Sequence, residues 1–146
     1  MLNVRKIKES DVEQVAALER ESFTDAWSEK SILETMQQSQ AFVLVAEEDN
    51  VVLGYCIVYY VLDEAEIARI AVETSRRKQG VGQELLRATC RTGIQQGVER
   101  LLLDVRESNV TAQNFYRAFG FVEDGIRKNF YQNPKEHAVL MSMSIV

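Results

Sequence analysis

A strand, a cationic two-glycine turn and an amphipathic helix follow one another within residues 65–97, A-E-I-A-R-I-A-V-E-T-S-R-R-K-Q-G-V-G-Q-E-L-L-R-A-T-C-R-T-G-I-Q-Q-G. The apolar, β-branched positions Ile67, Ile70 and Val72 predict the strand, which stops at a short polar turn. Arg76, Arg77 and Lys78 precede Gly80-Val81-Gly82, and apolar residues at helical spacing continue from there. Such a loop at a helix N-terminus offers backbone N–H groups and positive potential to an anion. The pattern alone leaves that role open against a solvated turn, since glycines also serve ordinary turns. Two phosphate-binding designs do not fit. The Gly-Lys-Ser/Thr of a P-loop is absent, and Leu85 stands where the dinucleotide pattern needs a third glycine.

The rest of the chain reads as a succession of periods. Val4 and Ile7 lie in a short opening strand. Ser10 begins S-D-V-E, a capping-box pattern with Glu13 reaching back, and Val12, Val15, Leu18 and Phe23 give that helix an apolar side. Ser28 is a second expected N-cap, with Trp27 and Ile32 at the two positions of a hydrophobic staple. Ile32, Leu33 and Met36 continue that helix inward. Residues 41–47 and 51–61 are β-rich and joined by E-D-N, a hairpin, and Asp63-Glu64 turns into the strand at 65–72.

The helix from Gly80 carries Val81 and Leu85 on one line and Leu86, Cys90 and Ile94 on the next, with Gly93 and Gly97 closing it. Residues 101–105 (L-L-L-D-V) form an apolar strand of the kind buried on both faces. Residues 109–119 predict a helix with Ala112, Phe115 and Phe119 inward and Gly120 as its C-cap. Phe121-Val122 and the alternating segment 137–146 finish the sheet, and Pro134, the sole proline, sits in a polar loop between them. The order β-α-α-β-β-β-α-β-α-β-β predicts one α/β domain over residues 1–146, a mixed, mostly antiparallel sheet with helices on both faces.

A chain of 146 residues is long enough for one sizeable core. The net charge of −5 argues against general affinity for nucleic acid and suits a cationic or basic partner, which makes residues 76–78 a local exception. Cys56 and Cys90 each sit in an apolar pattern, so reduced thiols are expected rather than a disulfide. The N-terminus lacks the apolar core of a signal peptide, and no apolar run approaches a membrane span. A cytosolic protein with no membrane partner is expected. No spacing of Cys, His and Asp suggests a metal site, and His137, the lone histidine, reads as incidental.

Residues 77–82, R-K-Q-G-V-G, resemble the R/Q-x-x-G-x-G/A signature of the GCN5-related N-acetyltransferase (GNAT) superfamily, and residues 114–121, N-F-Y-R-A-F-G-F, resemble its later N-x-x-Y-x-x-x-G-F signature. The element order agrees along the whole chain. The resemblance implies that acetyl-coenzyme A is the co-substrate. Its pyrophosphate would lie on Arg77, Lys78, Gln79, Gly80, Val81 and Gly82, and its pantetheine arm along Ile70, Ala71 and Val72, with Asn109 also contacting the coenzyme.

Residues 26–31, 101–109 and 126–134 resemble more narrowly the bacterial RimI family, which acetylates the N-terminal alanine of a small-subunit ribosomal protein. That likeness implies a peptide N-terminus as partner, met by the Trp27 turn and by a loop holding Phe130 and Tyr131. It also implies a general base at Asp104, where that family carries glutamate, and a general acid at Tyr116. Ala26 stands where the family commonly has proline. Read without the resemblance, Asp104 caps a strand end, Tyr116 is a half-buried core tyrosine, Asn109 is a helix N-cap, and Arg106 fixes a loop or meets substrate. A small-amine or protein-lysine acetyltransferase, or a non-catalytic acyl-coenzyme A binding module, is the alternative function.

Overall fold

The computed structural model describes residues 1–146. In chain order its elements are β1 (Asn3–Lys6), α1 (Val12–Ser22), α2 (Glu29–Met36), β2 (Ala41–Glu48), β3 (Val51–Val61), β4 (Glu64–Val72), α3 (Val81–Gln95), β5 (Arg100–Arg106), α4 (Val110–Phe119), β6 (Val122–Tyr131) and β7 (Glu136–Ser144). The strands form one sheet in the order β1-β2-β3-β4-β5-β7-β6, antiparallel throughout except between β4 and β5. This is the expected element order and the expected mixed α/β sheet.

The two faces of the sheet explain why β2 and β3 are almost continuously apolar. Val43, Val45, Tyr55 and Ile57 point into a core completed by Val12, Val15, Ala16, Leu18 and Ile32 of α1 and α2. Phe42, Leu44, Cys56 and Val58 point the other way, into a larger core with Val81, Leu85 and Leu86 of α3, Leu101 and Leu103 of β5, and Tyr116 of α4. The β2–β3 hairpin closes on Asp49 and Asn50, both at positive φ (51° and 66°), as a two-residue turn matched to strand twist requires. Both cysteines are free thiols, and burial pushes the Cys56 thiol up to about 12. No helix is long and apolar enough to cross a membrane.

Several local expectations are corrected. Ser10 and Glu13 form no capping box. Asp11 instead accepts from the Lys8 N–H (2.7 Å) and from both Arg5 Nη atoms (2.7 and 3.0 Å), so a short 3₁₀ turn over Glu9–Asp11 precedes α1. The Ser28 cap does form, its hydroxyl accepting from Ser31 N–H at 3.1 Å. In α3 the inward line runs Leu86, Thr89, Gly93, which rotates Ile94 into solvent. Gly97 alone closes the helix, while Gly93 is buried within it. β5 alternates instead of burying both faces: Leu101, Leu103 and Val105 are buried, whereas Leu102, Asp104 and Arg106 are half-buried, because α1 and α2 cover only the β2–β4 half of the sheet. In α4 the most buried positions are Gln113 and Tyr116, with Ala112, Phe115 and Phe119 only partly buried. Phe130 and Tyr131 belong to β6 rather than to a loop.

Candidate active site

Strands β4 and β5 stay together for three residue pairs only: Glu64 with Arg100, Ala65 with Leu101, Glu66 with Leu102. A bulge then breaks the β3–β4 register, so that Val58 faces Ile67 but Ile57 faces Arg69, with Ala68 as the extra residue. Beyond it, half of the backbone N–H and C=O groups of residues 67–72 face the parted β5 with no strand partner. Ile70, Ala71 and Val72, expected along the coenzyme arm, lie on this open edge.

The cationic turn sits where that edge ends. Its three cations differ in what they do. Arg76 is committed within the protein, to Glu48 at 3.0 Å and to Gln79 at 2.8 Å. Arg77 spends only its Nε–H, on the Val72 carbonyl at 3.1 Å, and its guanidinium end stays exposed with Lys78. Gly80 takes φ +85° immediately before α3, a backbone state that side-chain-bearing residues rarely adopt. The first-turn N–H groups of Val81, Gly82 and Gln83 have no acceptor within the helix and point out of its start. Gly82 has a packing reason of its own: a Cβ there would come within 3.0 Å of the Phe115 ring.

Tyr116 is held by the way α4 ends. The Phe121 N–H donates to the Tyr116 carbonyl (3.0 Å) and the Gly120 N–H to the Arg117 carbonyl (3.1 Å), with Gly120 at φ +134°. This is the Schellman closure, and the aromatic contact that often accompanies it is the edge-on packing of Tyr116 against Phe121, centroids 5.6 Å apart. The spacing Y-x-x-x-G-F therefore has a mechanical content: it seats the tyrosine. Tyr116 is 8% exposed, and its hydroxyl makes no hydrogen bond within the protein. Burial first, then the Cys56 thiol and Tyr131, push its phenol well above the ordinary value. Gly120→Ala is expected to destabilise the fold by about 1–3 kcal/mol, the cost of strained backbone. A new Cβ would also meet Met143 Sδ at 2.9 Å. A thermal melt will show the loss, since the substitution loosens the seat of Tyr116.

Asp104 lies on the other face of the sheet. Strand register puts Glu66, Leu102, Asp104, Leu140, Ala138 and Arg127 on that face, opposite the core that holds Tyr116. Loss of hydration pushes the Asp104 carboxyl up, against the pull of Arg127. Glu66 is raised by the same loss and by the charge of Asp104, and is again drawn down by Arg127. Tyr131 closes this side; burial, then Asp104, lift its phenol to about 12. Arg106 proves to be a loop anchor. It donates to the Pro134 carbonyl (2.9 Å) and the Gln132 carbonyl (3.0 Å), pairs with Glu136 (3.2 Å), and stacks 4.4 Å above the Tyr131 ring.

Asn109 caps α4, its Oδ1 accepting from Ala112 N–H at 3.2 Å. His137 is not incidental to the fold. Its Nδ1 accepts from the Asn129 N–H at 2.9 Å, where β6 bulges through a residue at φ +54°. No group of three or more His, Cys, Asp or Glu side chains is arranged to hold a metal ion. Sequence reasoning missed Glu66, Arg127 and Arg69. Strict alternation on β4 and β6 was the available signal, but it marks an exposed face without saying which strands will part beside it.

A model of the acetyltransferase (GNAT) family matches residues 12–121. The chain belongs to that family. Among GNAT relatives, a Bacillus subtilis (strain 168) protein provisionally named as a [ribosomal protein bS18]-alanine N-acetyltransferase is 36% identical over 143 residues, 97% of this chain and 95% of the relative. The [ribosomal protein bS18]-alanine N-acetyltransferase of Haemophilus influenzae (strain Rd) is 34% identical over 142 residues, 95% of this chain and 96% of the relative. The crystal structure of the ribosomal-protein-S18-alanine N-acetyltransferase from Escherichia coli superposes with a TM-score of 0.89 at 29% identity, covering 99% of this chain and 94% of that one. The GNAT assignment makes the chain an acetyltransferase, and GNAT acetyltransferases use acetyl-coenzyme A.

Proposed function

We propose that this GNAT enzyme transfers the acetyl group of acetyl-coenzyme A to the α-amine of a protein N-terminus, with the N-terminal alanine of ribosomal protein bS18 as acceptor. The observation that carries the reading is the gap between β4 and β5 with Asp104 on one face and Tyr116 on the other. A base on the acceptor side and an acid on the coenzyme side are what a direct transfer requires. The names of relatives that span nearly the whole chain supply the acceptor.

The coenzyme would lie along the open edge of Ile70, Ala71 and Val72. Its pyrophosphate would meet Arg77, Lys78 and the N–H groups of residues 79–82, with Asn109 beside the arm. The acceptor amine has a pKa of about 7.7–8.0 and is largely protonated at neutral pH. Asp104, through one water, takes the proton, and the freed nitrogen attacks the thioester carbon. A β4 N–H holds the oxyanion while the C–N bond forms. The C–S bond then breaks, Tyr116 gives its proton to the thiolate, and the second proton of the acylated nitrogen passes to water, from which Tyr116 is reprotonated. Glu66 and Asp104 put two carboxyl groups on the acceptor side, opposed there by Arg127, and an ammonium group can pair with them.

The test is acetyl transfer to a panel of short peptides. An alanine-initiated peptide with blocked lysines is expected to be acetylated on its α-amine, and the same peptide with a blocked N-terminus is expected to be inert. Product label on lysine, or turnover confined to small polyamines, would replace the reading.

A further inference from the structure

We infer that Arg69 is a positioning residue. It latches the turn between α1 and α2, residues 23–27, onto β4, and so sets the affinity for the acceptor without touching the reacting atoms. The inference rests on the amine-acetylation reading above.

Arg69 follows the bulge of β4, and the register places it on the same face as Glu66. Its side chain is 12% exposed. One Nη donates to the Asp25 carbonyl at 2.7 Å and to its Oδ1 at 3.2 Å. The guanidinium plane covers the Phe23 ring at 4.2 Å and lies 5.6 Å from the Trp27 ring. Its Nε is buried without a hydrogen bond, 3.4 Å from Glu19 Oε1. One Nη is thus spent on the turn, and the pairing with Glu19 is left imperfect. Glu19, wholly buried, completes the clamp by accepting from the Trp27 N–H (2.8 Å) and from the Tyr55 hydroxyl.

One ion pair therefore ties both ends of the turn to the strand whose free edge faces the gap. The turn reaches the acceptor side, because the register puts Arg69, which holds it, on the same sheet face as Glu66 and Asp104. Position 26 is alanine, so no proline restricts the backbone there, and the turn depends on the clamp for its shape. Lysine cannot replace this arrangement, because a point charge lacks the planar group that stacks on Phe23 while one of its nitrogens bonds Asp25.

Trp27 is the only tryptophan and reports directly on the turn. Arg69→Lys retains a positive charge facing Glu19, and Arg69→Met combined with Glu19→Gln leaves no unpaired buried charge. In both, the KM for an alanine-initiated peptide is expected to rise about tenfold or more, while the KM for acetyl-coenzyme A stays within about twofold. Acrylamide quenching of Trp27 should rise in parallel. Unchanged Trp27 quenching in Arg69→Lys overturns the latch, and so does an acceptor KM that stays put or moves together with the coenzyme KM. If the unsubstituted enzyme acetylates no peptide, the functional reading fails instead. The fluorescence measurement then still decides, without turnover, whether Arg69 holds the turn.

Discussion

Asp104→Asn is expected to lower kcat/KM for the peptide by about 10²–10⁴-fold, the usual contribution of a positioned general base. The loss should be greatest toward acid. Below the amine pKa of about 7.7–8.0 the free amine falls about tenfold per pH unit. An enzyme that removes the proton itself stays nearly flat there until its own base is protonated. The Asn variant follows the free amine down, so the two profiles converge above pH 8 and diverge below it. Burial raises the Asp104 carboxyl, which brings the acid limb of the native profile upward from the ordinary carboxylate range.

The stability sign is opposite to the activity sign. A carboxyl whose folded pKa lies above its unfolded value binds more protons in the folded state, so stability falls as pH rises through that window. At neutral pH the Asn variant should therefore melt no lower than the native protein. Parallel pH profiles for the two proteins would remove Asp104 from the role of base.

The second large effect belongs to Tyr116→Phe, expected to cost about 10²-fold or more in kcat with the KM for acetyl-coenzyme A little changed. The ring and its contact with Phe121 remain, so a thermal melt should move little. Because burial holds the phenol well above its ordinary value, Tyr116 stays protonated across the working range and imposes no alkaline limb of its own. An acyl donor whose thiol is more acidic needs less protonation on leaving and should narrow the gap between the two proteins. Equal deficits with ordinary and activated thioesters would mean that Tyr116 does not protonate the leaving group.

Much of this was legible in the residues, because each element carried its own period and the last two helices a glycine just past their ends. The order of strands and helices, the β2–β3 hairpin, the Ser28 cap and the glycine turn at 80–82 all rest on neighbours within a few positions. Most of the errors come from partners outside the local stretch. The Ser10–Glu13 box is the exception: Asp11, close by, takes the Lys8 N–H and Arg5 and closes the turn before α1 itself. Residues 101–105 look apolar enough for a two-faced strand, yet one side of β5 has no helix above it. Phe130 and Tyr131 read as loop because their pairing with β7 resumes only after a bulge set by Asn129 and His137. Asp104 and Tyr116 were reachable by likeness to a family. Glu66 and Arg69 were not, since their meaning depends on which strands separate and which turn lies opposite.

The open edge of β4 has a consequence for how the protein can vary. Its expected partner, the coenzyme arm, would be read by amide and carbonyl groups that every residue supplies. The information needed to hold that ligand is then stored in the path of the chain rather than in its letters. Side chains from Ile67 to Val72 are then released from ligand recognition; Ile67 and Ala71 answer to the core, and Arg69 does not. With the proposed latch, that freedom is taken up at position 69, where a side chain on the strand expected to hold the donor would act on the acceptor's side of the cleft. New acceptor preferences can therefore arise on this strand with no loss of the old coenzyme.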